Sequence, residues 1–370
     1  MNVVISCGGT GGHLSPGIAV AEALVARGHR AVLLISQKKV DGRLSEKYPH
    51  LQFERMPGTP FGWNPVTFAR CCVSQTRAVR YCLALLRREG AQLALGFGGF
   101  TSAPLVLAAR IQGVPSVLHE ANRVPGRAVR TLGRLARRVY LPPAVGISGL
   151  NANSLRSVGL PVRAEIQPLA AAEARRQLGL NPAQRVLVVL GGSQGSSPLN
   201  DWTRRHAQSL ADAGVQVYCV TGLGKGSESR STLRSRDGVP VSMVFEAFTD
   251  RMAVLLSAAD LVLSRAGAGT IAELVRCGTP ALLVPYPHAA DDHQRANAAY
   301  FAAQGGGGVV PQEQLEGLCA EVLATILNDG RLQAYRAALQ RMNETDPARM
   351  IVDDLEQLAR GAAAPAPVAR

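Results

Sequence analysis

Short apolar runs alternate with glycine-rich turns and helical stretches along most of the chain. Runs with the length of buried strands occupy residues 3–5, 31–35, 93–97, 116–118, 186–190, 215–220, 241–245, 261–263 and 281–284. Buried strands that alternate with helices are typical of parallel sheets. The pattern therefore predicts an α/β protein whose parallel sheets carry helices on both faces.

The alternation stops once and then starts again. A connection that contains prolines spans residues 160–184, and 370 residues are too many for one ordinary core. We therefore predict two doubly wound, Rossmann-like domains, residues 1–160 and 161–346, that face a central cleft. Residues 347–360 predict a final amphipathic helix, and residues 361–370 have the composition of a disordered tail.

Glycine-rich loops follow the first strand of each half. Residues 8–12 (GGTGG) and 191–197 (GGSQGSS) allow the backbone to approach a ligand closely. Ser15 and Pro16 are residues that commonly cap and open a helix, so we place the start of the first helix there. The first loop has neither the G-x-G-x-x-G register nor a G-K-[ST] ending, and residues 36–39 (SQKK) contain no acid, which disfavours a dinucleotide cofactor.

Residues 261–297 contain a second pattern that indicates a ligand site. A turn of small residues, Ala266–Gly269, connects an apolar run to a helix, and the free amides at such a helix start attract phosphate. Glu273, one turn into the helix, suits the two vicinal hydroxyls of a ribose, so the pattern indicates a nucleotide. Thr270 and Glu273 also match the S/T-x-x-E capping box, and the local pattern leaves both interpretations open.

Other polar residues are expected at the same sheet edges. His13 is a candidate general base, although a lone histidine more often only hydrogen-bonds a turn. His119, Glu120 and Asn122 follow a buried strand, a position used both by ligand-binding residues and by ordinary turns. Gln294 has both a donor and an acceptor, which suits a sugar hydroxyl.

The sequence predicts neither a metal site nor a cofactor. His288, Asp291, Asp292 and His293 lie close together, but they straddle a loop and a helix start, where the helix dipole favours acids in any case. The seven cysteines are odd in number and scattered, without a C-x-x-C pair. We expect reduced, mostly buried thiols.

Charge separates the two halves of the chain. Residues 1–160 contain 20 Lys and Arg against 6 Asp and Glu, net +14, whereas residues 161–370 contain 20 against 21, net −1. Such an asymmetry suggests that the first half binds nucleic acid, an anionic membrane surface or an acidic substrate. Nucleic acid is disfavoured because only 5% of the residues are aromatic and no nucleic-acid-binding motif is present.

One helical stretch, residues 61–88, mixes apolar residues with five arginines. It is too polar to span a bilayer, and it either packs on the core with solvated arginines or lies against anionic lipid. The chain begins with MNVVIS, which lacks the basic lead and the long apolar stretch of a signal peptide. No apolar run reaches the length of a membrane span, so we expect the cytoplasm.

Six segments resemble the MurG family, the peptidoglycan N-acetylglucosaminyltransferases of glycosyltransferase family 28. In order, they are GGTGGHLSPGIAVAEAL, GFGGFTSAP, VPSVLHEAN, VLVVLGGSQGSSPLN, SRAGAGTIAE and HAADDHQRANA, within residues 3–298. The resemblance implies the two-domain GT-B fold, with the nucleotide in the second domain and a lipid acceptor in the first. It also implies that the last helix crosses back onto the first domain. Leu160 and Ser36 depart from the family pattern.

The resemblance also implies a set of site residues. The residues that would touch the transferred sugar or line its site are Thr10, Gly11, Gly12, Asn122 and Gln294. The residues that would bind the nucleotide are Arg163 and Ser193 near the diphosphate, the Thr249 backbone at uracil, and Ala268, Gly269, Thr270 and Glu273 at phosphate and ribose. His13, Asn122 and Glu273 form the predicted catalytic set.

The implied reaction transfers N-acetylglucosamine from its UDP donor to the 4-hydroxyl of the muramoyl sugar on lipid I and gives lipid II. Attack from the face opposite UDP would invert the anomeric centre. His13 is the candidate base because the ordinary pKa of histidine, about 6.5, suits proton removal near neutrality. Helix-start amides, together with Arg163, would stabilise the departing UDP without a metal.

The family also implies a peripheral protein on the cytoplasmic face of the plasma membrane that serves peptidoglycan and cell wall synthesis, cell shape and cell division. Three alternatives stay open. They are a related transferase with another UDP-sugar or lipid acceptor, a UDP-N-acetylglucosamine epimerase, and a non-catalytic nucleotide-binding or lipid-surface protein.

Overall fold

The chain forms two compact units. The computed structural model describes residues 1–8, 11–37, 45–57, 65–99, 101–192 and 194–363. Unit 1 consists of Met1–Ala164 and Asp346–Arg370, and unit 2 consists of Glu165–Thr345. The chain therefore leaves unit 1 in the proline-containing connection and returns to it just before the last helix.

Within the described residues, unit 1 contains a parallel sheet with the strand order β3-β2-β1-β4-β5-β6-β7. The strands are β1 (Asn2–Ser6), β2 (Arg30–Ile35), β3 (Gln52–Arg55), β4 (Leu93–Gly96), β5 (Ser116–His119), β6 (Arg138–Leu141) and β7 (Leu155–Ser157). The helices are α1 (Gly11–Ala26), α2 (Pro65–Arg88), α3 (Ser102–Gln112), α4 (Arg127–Leu132) and, at the end of the chain, α13 (Pro347–Ala363).

The central strand β1 shows why both faces of the sheet are covered. Val3 and Ile5 belong to a core cluster with Leu14 of α1, while Val4 belongs to another cluster with residues of α2 and α3. Successive side chains of a strand point to opposite faces, so a run that is apolar at every position requires a helical layer on each side. This accounts for the continuous apolar character of the run at residues 3–5.

Helix α13 packs on unit 1 through an apolar stripe and an acidic edge. Ile351, Val352 and Leu355 are fully buried in the same cluster as α1. Asp354 accepts a hydrogen bond of 2.8 Å from the Tyr140 hydroxyl, and Glu356 lies 2.9 Å from the His29 Nε2 atom. The helix continues to Ala363, so the predicted tail is wrong for residues 361–363, where alanines extend the helix. Residues 364–370 lie outside the described residues.

The described residues of unit 2 form a second sheet with the strand order β10-β11-β9-β8-β12-β13-β14. Its strands are β8 (Arg185–Leu190), β9 (Val215–Val220), β10 (Ser229–Arg234), β11 (Pro240–Glu246), β12 (Leu261–Ser264), β13 (Ala281–Leu283) and β14 (Gly307–Val309). Its helices are α5 (Ala171–Gln177), α6 (Ser197–Arg205), α7 (Ala207–Asp212), α8 (Met252–Ala258), α9 (Ala268–Cys277), α10 (His293–Ala303), α11 (Leu318–Ile326) and α12 (Asp329–Met342).

Two expectations about individual elements were wrong. Strand β10 pairs antiparallel with β11, and its sequence SRSTLR has no apolar run because it is an exposed edge strand. Helix α1 begins before Pro16, which lies inside the helix. Leu14 is fully buried, so packing on the core holds the turn that precedes the proline.

The described thiols agree with the expected reduced and mostly buried cysteines. Among the cysteines whose side chains the structure describes, Cys7, Cys82 and Cys219 are free and buried, and Cys277 and Cys319 are free and half-buried. Within the described residues, no helix combines the length and the apolar character needed to cross a bilayer.

A buried carboxylate ties together the amino-terminal ends of two central strands of unit 2. Asp260, immediately before β12, is 3% exposed and accepts hydrogen bonds from the Arg175 side chain at 2.7 Å and the Val186 amide at 2.9 Å. Arg185 donates a third at 3.1 Å. A buried ion is stable only when its partners are present, so this cluster holds α5 and β8 against β12.

We expect Asp260→Ala to lower the free energy of unfolding by about 3–5 kcal/mol, because it leaves the Arg175 guanidinium buried without a carboxylate. Urea unfolding followed by circular dichroism measures this change. Asp329→Ala is the matched control, since Asp329 also pairs with Arg185 but its side chain is 70% exposed, and its loss should cost less than about 1 kcal/mol. Equal losses in the two variants would contradict the assignment.

Candidate functional site

Each sheet has one point where the strand order reverses. In unit 1 it lies between β1 and β4, and in unit 2 between β8 and β12, because the chain winds outwards in both directions from these pairs. In open α/β sheets, ligands bind outside the carboxyl ends of the strands at this point. The predicted glycine-rich loops follow β1, β8 and β12, and Gly98 and Gly99 follow β4, so all four loops lie at these two points.

At the reversal point of unit 1, two glycine-rich loops are joined directly. The hydroxyl of Thr101 donates a hydrogen bond of 3.0 Å to the Gly8 carbonyl. A Cβ atom at Gly8 would lie 2.3 Å from the Ser36 backbone nitrogen, so the position accepts only glycine. Gly98 and Gly99 adopt positive φ angles of 84° and 72°. The backbone itself therefore lines this part of unit 1.

His13 lies on α1 and not before it, which corrects the predicted helix start. Its ring lies next to Gly98 and Gly99, since a Cβ atom built on Gly99 would be 3.5 Å from the His13 Nε2 atom. Gly11 and Gly12 form the beginning of the same helix. The histidine and the glycines predicted to line the sugar site thus come together on one side of the reversal point.

His119 is a second histidine at this edge, and its tautomer is fixed. It is buried, and its Nε2 atom lies 2.7 Å from the Gly159 carbonyl, so Nε2 must carry the proton. Burial lowers the pKa of His119 to about 4; the Gly159 hydrogen bond opposes this shift and nearby His13 adds to it. His119 is therefore neutral near pH 7 and connects the end of β5 to the connection that leaves unit 1.

Glu120 orders the loop that carries Asn122. One carboxylate oxygen accepts from the Asn122 amide at 2.8 Å and from its side chain at 3.3 Å, and the other accepts from the Gly126 amide at 2.8 Å. Glu120 is 6% exposed. The structure thus assigns Glu120 to loop geometry and fixes the direction of the Asn122 side chain, which carries one of the predicted sugar contacts.

Arg163, predicted to lie near the diphosphate, is buried within unit 1. Its guanidinium donates a hydrogen bond of 3.2 Å to the Tyr48 hydroxyl. The next residue, Ala164, donates its amide to the Glu22 carboxylate at 3.1 Å. These contacts attach the beginning of the connection to unit 1.

At the reversal point of unit 2, the loops after β8 and β9 touch through glycine. A Cβ atom at Gly195 would lie 2.3 Å from the Thr221 carbonyl, and one at Gly222 would lie 2.5 Å from the Gly195 Cα atom. Asn200 also donates to the Thr221 carbonyl at 2.9 Å. The predicted Ser193, like Thr10 of unit 1, lies outside the described residues.

The start of α9 tests the capping-box interpretation of Thr270 and Glu273. The N-cap residue is Gly267, and no side chain caps this helix start. Thr270 is therefore the third helical residue, so the capping box is wrong. The first backbone hydrogen bond of the helix joins the Ile271 amide to the Gly267 carbonyl. The amides of Ala268, Gly269 and Thr270 thus remain at the helix start, with Glu273 one turn further on the face that carries Thr270.

Gln294 is the second residue of α10, which follows β13, and Thr249 lies in the loop after β11 of the same sheet. The Gln294 Oε1 atom accepts from the amides of Ala266 at 3.2 Å and Tyr286 at 3.0 Å. Its oxygen is therefore engaged, and only its Nε2 group is left as a donor to a ligand, a narrower role than predicted. Thr249, after β11, accepts a bond from the Arg251 amide at 3.2 Å.

Sequence reasoning missed Arg265, the residue that connects the loops of unit 2. It immediately follows β12 and is 6% exposed. Its guanidinium donates to the Ser196 hydroxyl, to the carbonyls of Val284 and Pro285, and to the Gln312 side chain. A charged residue two positions after the apolar run at residues 261–263 was the available signal.

The cluster considered as a metal site has a different structural role. Asp291 and Asp292 adopt positive φ angles of 51° and 52° immediately before α10, and His293 Nδ1 lies 2.7 Å from the Ala290 carbonyl. Among the residues that the structure describes, no group of three or more His, Cys, Asp and Glu side chains could hold a metal ion.

Family models and relatives cover nearly the whole chain. The glycosyltransferase family 28 N-terminal domain matches residues 3–141, and the glycosyltransferase family 28 C-terminal domain matches residues 186–352. A UDP-N-acetylglucosamine–N-acetylmuramyl-(pentapeptide) pyrophosphoryl-undecaprenol N-acetylglucosamine transferase from Opitutus terrae is 56% identical over 96% of this chain and 95% of its own. The transferase of the same name from Halorhodospira halophila is 38% identical over 97% and 99%.

Solved structures agree on the fold. The crystal structure of MurG from Acinetobacter baumannii has a TM-score of 0.71 at 23% identity and covers 96% of this chain and 99% of its own. A calicheamicin glycosyltransferase has a TM-score of 0.66 at 16% identity, with 99% and 100% covered. The fold is of the GT-B type with two Rossmann-like units, as predicted. The matches over both units confirm the resemblance: the chain belongs to glycosyltransferase family 28.

Proposed function

We propose that the chain transfers N-acetylglucosamine from UDP-N-acetylglucosamine to the muramoyl sugar of lipid I and so forms lipid II. The observation that carries the proposal is the 56% identity over 96% of the chain to a relative whose name states this donor sugar and a pyrophosphoryl-undecaprenol acceptor. Lipid II is the precursor of peptidoglycan. The reaction therefore serves cell wall synthesis and, through it, cell shape and division.

The UDP donor binds at the reversal point of unit 2 in this proposal. The amides of Ala268, Gly269 and Thr270 point out of the start of α9 and suit phosphate oxygens. Glu273 accepts from the ribose hydroxyls, and the Gln294 Nε2 group donates to a hydroxyl of the sugar. Thr249 lies beyond β11, two strands from β8, where it can meet the uracil.

The acceptor binds unit 1, where His13 takes the proton. The 4-hydroxyl attacks the anomeric carbon from the face opposite UDP, the bond from that carbon to the diphosphate oxygen breaks, and UDP leaves with the electron pair. One displacement inverts the anomeric centre. Helix-start amides stabilise the charge on UDP, so the proposed reaction uses no metal and no cofactor.

The outer helices of unit 1 are the proposed contact with the membrane. Helix α2 packs against α3, which packs against α4, and these three helices contain no Asp or Glu. Their exposed arginines include Arg77, Arg110 and Arg130, and Ile111 beside them is 66% exposed. A basic surface with protruding apolar side chains suits an anionic bilayer. We therefore place the protein peripherally on the cytoplasmic face of the plasma membrane, with no nucleic acid partner.

The direct test of function is incubation with labelled UDP-N-acetylglucosamine and a lipid I analogue, with and without a chelator. We expect labelled lipid II in both cases, because the proposed charge stabilisation comes from protein groups. Conversion of the UDP-sugar without an acceptor would instead indicate an epimerase. A preference for another UDP-sugar or for a glycerolipid acceptor would overturn the proposed donor or acceptor.

His13→Ala tests the base in the same assay. We expect turnover to fall about 100-fold or more, while the Kd for UDP stays unchanged because His13 belongs to unit 1. His50→Ala removes an exposed histidine of the same unit and should leave turnover unchanged. Full activity of the His13 variant would remove His13 as the base.

Glu273→Gln should weaken UDP binding about tenfold or more, since a hydrogen bond to a charged group contributes about 1.5–3 kcal/mol. The wild type should prefer UDP to 2′-deoxy-UDP, and the variant should lose this preference. Calorimetric titration of both nucleotides measures it, with the exposed Glu344→Gln as the control. An unchanged preference would show that Glu273 does not hold the ribose.

The membrane contact is tested by sedimentation with vesicles. The protein should bind vesicles that contain phosphatidylglycerol more tightly than pure phosphatidylcholine vesicles, and salt should reduce the difference. The double variant Arg110→Gln/Arg130→Gln should bind the anionic vesicles roughly thirtyfold less, at about 1 kcal/mol for each arginine. Arg205→Gln, exposed on unit 2, is the control, and equal binding to both vesicle types would refute the contact.

A further inference from the structure

Arg265 is a buried positive charge that is surrounded by neutral acceptors. Its Nη2 atom lies 3.0 Å from the Ser196 hydroxyl, and its Nη1 atom lies 3.2 Å from the carbonyls of both Val284 and Pro285. The Gln312 side chain accepts the remaining bond at 2.5 Å. These four hydrogen bonds engage both Nη groups of the guanidinium without neutralising its charge.

The absence of an acid distinguishes Arg265 from the other buried arginine of unit 2. Arg175 is 8% exposed and pairs with the Asp260 carboxylate at 2.7 Å. Arg265 is 6% exposed, yet among the described residues no carboxylate lies within 4.0 Å of it. Burial lowers the pKa of Arg265, which is the effect of keeping a charge away from water without a counter-ion.

A buried charge without a counter-ion lowers the stability of the fold. The position of such a charge therefore indicates the function for which it is kept. Arg265 lies between β12 and the start of α9, and its bond to Ser196 reaches the N-cap residue of α6. Positive charge and the positive ends of two helix dipoles therefore converge at one reversal point. The four acceptors of Arg265 lie on the loops that follow β8, β13 and β14, so the same side chain holds those loops in register.

We propose that Arg265 is the counter-charge of the donor's diphosphate: a positioning residue that acts through its field and through the loops it joins. This inference rests on the proposed function, in which the nucleotide binds unit 2. The ligand that neutralises Arg265 is a diphosphate ester, and the charge that develops when UDP departs is stabilised by the same field. In a site of low dielectric, such a charge acts over several ångströms without direct contact.

The test compares UDP with ligands that carry only its nucleoside or only its diphosphate. The Kd values of UDP, uridine and inorganic pyrophosphate are measured by calorimetry for the wild type, Arg265→Gln and Arg265→Lys. We expect Arg265→Gln to raise the Kd values of UDP and pyrophosphate about tenfold or more and to change the Kd of uridine by less than about twofold. Arg265→Lys keeps the charge and should retain the preference for UDP over uridine within about threefold.

Arg204→Gln is the matched control. It removes an arginine of the same unit that is exposed, bonded to the Ser227 carbonyl at 3.0 Å and stacked on Phe245, so water screens its charge. It should leave all three Kd values unchanged. Circular dichroism establishes that each variant is folded, and if Arg265→Gln does not fold, Arg265→Lys decides alone.

The outcomes separate the inference from the proposed function. If Arg265→Gln weakens the binding of UDP and of uridine equally, Arg265 only holds the loops. If it changes the binding of neither ligand, Arg265 neither holds the loops nor acts on the diphosphate. Each of these results overturns the inference. Loss of the UDP preference in Arg265→Lys would also overturn it, because the charge is still present. A wild type that binds UDP but transfers no sugar would refute the proposed function alone.

Discussion

At the carboxyl edge of each sheet, the loops approach one another so closely that a methyl group has no room. Gly8 lies against the backbone of Ser36, and Gly195 lies against Gly222 and the Thr221 carbonyl. A side chain at any of these glycines would push apart the loops that carry the candidate ligand groups. The rest of each site depends on this close approach, because it allows backbone amides and His13 to line the reversal points.

The two units place their positive charges in different environments. Unit 2 concentrates positive potential where α9 begins and where Arg265 is buried without an acid within 4.0 Å among the described residues. Unit 1 instead keeps its excess of arginine on exposed helices and holds His119 neutral within its interior. A positive charge buried in unit 2 and a basic exterior on unit 1 are different uses of the same charge, since burial strengthens a field that water otherwise screens.

The errors of sequence reasoning have identifiable physical causes. The capping box at Thr270 and Glu273 matched a local pattern, but the helix begins two residues before Thr270, at a position that the loop after β12 determines. Strand β10 has no apolar periodicity because neither of its faces is buried. Gln294 looked like a bifunctional sugar ligand, yet its oxygen is taken by two backbone amides from different loops.

The sequence by itself determined the α/β class, the two-part organisation, most of the central strands and the glycine-rich loops. Apolar runs and glycines report local requirements, and the order of the motifs identified the family. Only the tertiary structure decided that Glu120 orders the Asn122 loop, that His119 bonds to Gly159 and that Arg265 joins the loops after β8, β13 and β14. Each of these roles depends on partners that lie on other segments of the chain. A local sequence pattern cannot predict them, because it does not show which distant residues come into contact in the fold.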